Sequence, residues 1–202
     1  MKKIVVAIMV LTMMVSAIAA MAQSEKSFSI TPRIAADFYL NGDTKDALGK
    51  SFGLLIDIDV ASLPVGFEVG YLQGSKTEDG YVYDDEGYEY GADVKNTVKQ
   101  IPLLVTYKYP FAENFYAKIG AGVSFNRCKS DLSINDEIFG PEYNEDTSCK
   151  KTNFAWTIGF GYNFAQNFSA ELAYRDSGKL KSNDDADGVK SGAVELNIGY
   201  TF

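Results

Sequence analysis

Phe154-Ala155-Trp156-Thr157-Ile158-Gly159-Phe160-Gly161-Tyr162 sets five large apolar side chains apart with four small ones. Along a β-strand successive side chains point to opposite faces, so this stretch has one bulky apolar face and one face of Ala, Thr and Gly. Seven other segments follow the same rule. Upstream they run Phe28 to Leu40, Phe52 to Val60, Val65 to Tyr71, Ile101 to Tyr109 and Phe115 to Phe125. Downstream they run Phe168 to Tyr174 and Val194 to Phe202. Eight is the smallest even number of strands that closes a membrane barrel.

Periodicity alone does not say which face points outward, but volume does. The interior of an eight-stranded barrel has room only for the side chains that fill it. Roughly forty Phe, Tyr, Ile, Leu, Val and Trp side chains would overfill it, whereas the Gly, Ser, Ala and Thr face fits. The apolar face therefore points outward, and only lipid solvates a continuous apolar belt of that size. The sequence predicts an all-β, eight-stranded antiparallel up-and-down transmembrane β-barrel.

The connections alternate in length. Ala61 to Pro64, Pro110 to Asn114 and Asn163 to Asn167 are short, whereas about 41–51, 73–97, 127–152 and 176–190 are long. Short turns at one end and long loops at the other are expected of outer-membrane barrels, with the short turns and both termini in the periplasm. Aromatic residues gather at the strand ends. Phe111, Phe115, Tyr162, Phe164, Phe168 and Phe202 stand at one level, and Phe38, Phe52, Tyr71, Phe125, Trp156 and Tyr174 toward the other. Such rings belong at the two headgroup layers.

The N-terminus reads as an export signal. Lys2 and Lys3 precede an uncharged stretch from Ile4 to Ala22 that closes Ala20-Met21-Ala22. A basic start, an apolar centre and small residues at the end predict a signal peptide over 1–22, cleaved before Gln23, with the barrel domain over 23–202. The residue after the cleavage point is Gln23 and not Cys, so a lipid anchor is not expected. Loss of two lysines and no acid takes the formal charge from −8 to −10. An acidic surface repels phosphate backbones, so no nucleic acid partner is expected.

Catalytic signals are sparse. The chain has no His, the commonest general base at neutral pH. It contains no G-x-S-x-G, no Walker loop and no Cys/His cluster with metal spacing. It is not expected to be an enzyme or to need a cofactor. Asn183-Asp184-Asp185-Ala186-Asp187-Gly188 partly fits the opening of a calcium loop, but the twelfth position is Val194 and not Glu. We read it as a solvated acidic turn and expect no metal site.

The last strand, Val194 to Phe202, ends on Phe with Tyr200 two residues before it. This ending resembles the assembly signal of bacterial outer-membrane proteins, and the whole chain after the signal resembles the small barrels of the OmpX and OmpA-transmembrane-domain type. The resemblance is of architecture more than of motif. It implies that Tyr200 and Phe202 are read by the barrel-assembly machinery, and that the chain is a monomer surrounded by outer-membrane lipid and lipopolysaccharide. It also implies a lumen plugged by salt bridges.

By parity the inward face carries Arg33, Lys108, Lys118 and Arg175 against Asp37, Asp57, Asp59, Glu68, Glu171 and Glu195. Buried charges are costly unless paired, so these groups are expected to pair across the lumen. An ion path is the alternative. Cys128 and Cys149, the two cysteines, share the third long loop, and continuing the flanking strands puts both inward at one height. The oxidising export route makes a disulfide between them the expectation, worth about 3 kcal/mol on the chain-entropy model. The second long loop reads as a hairpin tip pairing Tyr83 with Tyr88 and Tyr81 with Tyr90. That register is offset by one from the membrane strands below, so a bulge is expected near Gly74, Gly80 or Gly91. Exposed tyrosines on a rigid hairpin suit an interaction surface. The function expected is structural or adhesive through the loops; the alternative is a narrow porin for small solutes.

Overall fold

A computed structural model describes residues 28–40, 45, 49–60, 64–83, 89–134, 143–180 and 189–202. The predicted signal peptide lies outside them, as does the acidic segment 183–188. Eight strands follow in order: β1 (Phe28–Tyr39), β2 (Lys50–Val60), β3 (Val65–Tyr83), β4 (Glu89–Ala112), β5 (Phe115–Ile134), β6 (Tyr143–Asn163), β7 (Phe168–Leu180) and β8 (Val189–Tyr200). Each pairs antiparallel with its neighbours, and β8 closes on β1 from Arg33↔Gly199 to Tyr39↔Ala193. Closure leaves the barrel wall without a free edge, so at membrane depth the backbone groups of each strand are met by its two neighbours; only the projecting parts of β3 and β6 are paired on one side alone.

The faces divide as the side-chain volumes require. Ile34, Phe154 and Phe160 are 69%, 66% and 62% exposed, while Leu55, Leu72 and Ala35 on the opposite parity are fully buried. The interior is mostly polar, with Arg33, Asp57, Glu68, Lys118, Glu171, Arg175 and Glu195 all buried. At one end of the lumen Tyr39, Val98, Leu180 and Ala193 make an apolar cap. Small residues on the inward face make room inside. A Cβ on Gly161 would stand 1.9 Å from Cζ of Tyr116, whose buried ring lies over its ladder partner Gly161 on the inner face, so the position admits hydrogen and nothing larger.

The described parts of two of the long connections, 73–97 and 127–152, turn out to be strand. β3 and β4 run 19 and 24 residues and β5 and β6 run 20 and 21, against 11 to 13 for β1, β2, β7 and β8. Their outer parts are wet on both faces, so the period-two apolar signal is lost there although the ladder continues. The expected tip register is also corrected. β3 and β4 hold one register from Val65↔Tyr107 to Tyr83↔Glu89, with Tyr81 opposite Gly91 and Val82 opposite Tyr90. Tyr81 and Tyr90 are therefore not partners, Tyr83 stands opposite Glu89, and among the described residues no bulge interrupts β3 and β4. A one-residue slip would turn the membrane part inside out, so the barrel dictates the register and the hairpin inherits it. The turns at the other end are short: Asn163 N–H donates to Asn114 C=O, and a register shift between Pro110 and Ala112 tightens the β4–β5 turn.

Candidate functional site

The lumen charges form one connected zigzag. At the short-turn end Lys108 Nζ lies 2.7 Å from Asp59 and 2.9 Å from Asp57. Arg33 bridges Asp57 at 2.8 Å and Glu171 at 2.7 Å. Lys118 donates to Glu171 at 2.8 Å and to Glu68 at 2.6 Å. Arg175 then joins Glu68 at 2.7 Å to Glu195, which it grips through Nε at 2.7 Å and Nη2 at 2.9 Å. Nine of the ten charges named from the sequence are in this chain of ion pairs. Asp37 is the tenth. It is buried beside its register partner Glu195, and neither of its oxygens has a hydrogen-bond donor.

Sequence reasoning overlooked the neutral members of the network. Tyr116 OH donates to Glu171 Oε2 and accepts from Arg33, both at 3.1 Å, with Lys108 Nζ 5.7 Å from its ring centroid. Asn197 donates to Glu195 at 2.9 Å and to Glu171 at 3.2 Å. A signal was present: Tyr116 stands at an inward parity among Lys118 and Ser124, where a phenol ring is out of place unless it has polar company.

Beyond this network the lumen differs at its two ends. At the short-turn end a vestibule of about 370 Å³ opens between Thr31, Arg33, Asp59, Lys108, Tyr116 and Ser169. At the other end the apolar cap covers the charges, and Cys128 packs against it. Cys128 and Cys149 are directly opposed in the β5–β6 ladder, and both are free thiols in this structure. Above the cap β3 to β6 continue as a four-stranded sheet. Tyr81 is exposed there, Tyr83 and Tyr90 belong to the strands, and Tyr88 lies outside the described residues. At the opposite end Tyr200 and Phe202 stack edge-on at 4.8 Å, and Phe168 packs on Tyr200 at 4.9 Å.

An exposed apolar belt around a buried, self-paired polar interior is the inverse of a water-soluble barrel. The family model for the outer membrane protein beta-barrel domain matches residues 7–202. The chain belongs to that family. Among similar proteins is outer membrane protein PagN of Salmonella typhimurium, 26% identical over 204 residues that cover 87% of this chain and 83% of the relative. Two solved structures share the fold. One is Ail, the attachment invasion locus protein of Yersinia pestis, in complex with the heparin analogue sucrose octasulfate. It is 17% identical with TM-score 0.50, covering 87% of this chain and 97% of Ail. The other is a major outer membrane protein of Thermus thermophilus, 15% identical with TM-score 0.52, covering 87% and 99%. This family seats its apolar belt in the outer membrane.

Proposed function

We propose that this chain is a non-conducting outer-membrane barrel that holds the β3–β6 sheet above the cell surface as a contact surface for an external partner. The observation that carries the reading is the inequality of the strands. From the headgroup-level Tyr71 to Tyr83, β3 continues for about 40 Å of strand at 3.3–3.4 Å per residue, with β4, β5 and β6 alongside. Ordered sheet that far beyond the membrane is not needed to close the barrel, and a rigid platform loses little entropy when a partner binds. The paired lumen charges and the apolar cap support a plug and speak against a porin.

The partner's charge follows from the tip. Asp79, Asp84, Asp85, Glu86 and Glu89 lie between or beside Tyr81, Tyr83, Tyr88 and Tyr90. Ail was solved with a sulfated sugar, but a polyanion would be repelled from this tip, so a basic protein or a neutral glycan surface fits it better. The test is retention of cells displaying the chain on surfaces coated with a basic protein, a neutral glycan or heparin. Retention on the first or second should be lost when residues 81–90 are replaced by a Gly/Ser linker. Equal retention with and without the tip, or retention on heparin alone, would refute the reading.

A further inference from the structure

On the outward face of the projecting sheet the side chains are sorted by height. The last lipid-level row runs Tyr71, Ile101, Phe125 and Thr152 across β3 to β6, with Ile101 opposite Phe125 and Phe125 opposite Thr152. The next row, two residues and about 7 Å further out, runs Gln73, Lys99, Arg127 and Lys150, with each residue directly opposite the next. Three cations thus stand side by side on adjacent strands, all exposed. Among the described residues no carboxylate pairs with any of them. Acids appear along these register positions only higher, first at the level of Asp131, which stands opposite Lys95 and Asp146, and then at Asp79 opposite Asp93. Like charges placed opposite one another destabilise a sheet. In a chain of net charge −8, a row of three is not a by-product of composition.

The two rows enclose a groove. It measures about 420 Å³ and is lined by Tyr71, Ile101 and Phe125 below and by Lys99, Arg127 and Lys150 above, with Lys151 at its side. Its floor is continuous with the exposed apolar belt through Leu103 and Phe154. A soluble anion could answer the cations but would leave that floor to be covered by something else. An amphiphile answers both: acyl chains lie along Ile101 and Phe125, and a phosphorylated headgroup sits at the height to which the lysine and arginine stems extend.

We infer that the Lys99/Arg127/Lys150 row is a binding site for the phosphate groups of an anionic outer-leaflet lipid, which anchors the sheet at a fixed height and tilt. The site is on the barrel shoulder and does not depend on what the tip contacts. Charge repulsion within the row is relieved when the headgroup arrives, so the sheet is more stable in the lipid than out of it.

The test places the refolded chain in phosphatidylcholine nanodiscs doped with bisphosphorylated lipid A or with its dephosphorylated form, and counts retained glycolipid by native mass spectrometry. The wild-type chain should retain the phosphorylated form selectively, and molar sodium chloride should strip it. With about fivefold lost per cation at an anionic membrane surface, K99Q/R127Q/K150Q should weaken retention roughly a hundredfold. K99R/K150R, which keeps the charge, should retain it, and K45Q/K95Q/K179Q, which removes three charges elsewhere, should behave as wild type. Equal retention by K99Q/R127Q/K150Q, or of the dephosphorylated lipid, would overturn the proposal. Displacement by millimolar inorganic phosphate would overturn it too, showing a site for soluble anions instead. Should K99Q/R127Q/K150Q fail to fold, indifference of wild-type retention to salt would overturn it equally.

Discussion

Replacing Lys118 by Met should strip the lumen network of its central cation. Its ammonium lies 2.6 Å from Glu68, 2.8 Å from Glu171 and 3.7 Å from Asp57, and the side chain is 1% exposed. The ten lumen charges comprise four cations and six carboxylates, so the variant faces six with three. Glu68 keeps only Arg175, and Glu171 keeps Arg33, Tyr116 and Asn197. Breaking a buried pair from one side costs about 3–5 kcal/mol, because the remaining charge stays desolvated. At about 2–3 kcal/mol per molar urea, the unfolding midpoint should fall by about 1–2.5 M. Trp156 is the single tryptophan and faces lipid from β6, so its emission reports unfolding of the refolded barrel in vesicles. Adding Glu171→Gln restores the charge balance and should recover about half of the loss. A midpoint for Lys118→Met within about 0.3 M of wild type would refute the reasoning, since the lumen would then be wet enough to solvate lone carboxylates.

Four other outcomes are expected. In planar bilayers the wild-type chain should be silent, and K118A/R175A, which removes two long side chains from the lumen, should produce openings; steady wild-type conductance would make the chain a porin. Gly161→Ala should destabilise the barrel by about 1–3 kcal/mol in the same urea assay, because its Cβ meets the Tyr116 ring, whereas Gly91→Ala, with nothing within 4 Å, should be neutral or slightly stabilising. In cells Cys128 and Cys149 should resist maleimide until reductant is added, and Cys128→Ala should lower stability by up to about 3 kcal/mol; labelling without reductant would show free thiols. Deletion of Phe202 should cut assembly into the outer membrane in cells yet leave refolding in detergent unchanged, separating an assembly signal from a structural contact.

The membrane part of the fold was legible because its two solvents differ. Lipid outside and a narrow lumen inside impose opposite demands on alternate residues, so Phe154 to Tyr162 declares both the strand and the direction of each face. The same parity located Arg33, Lys118, Glu171 and the other lumen charges, since a charge on an inward position has nowhere else to go. Where both faces meet water the constraint lapses, and the outer halves of β3 to β6 read as loops although they are paired strands.

Sequence by itself determined the strand number, the outward face and the set of charges inside the barrel, all of which follow from a period of two and from volume. Tertiary structure alone decided who pairs with whom. Closure of β8 on β1 fixes the heights at which Arg175 meets Glu68 and Lys118 meets Glu171, and these partners are separated by up to 107 positions in the chain. It also fixed the tip register, because the barrel's lipid-facing set outweighs any local tyrosine pairing. The row of Lys99, Arg127 and Lys150 exists only as a consequence of that register: 28 and 23 positions apart in sequence, the three become neighbours when ladders extended from the membrane bring them to one level.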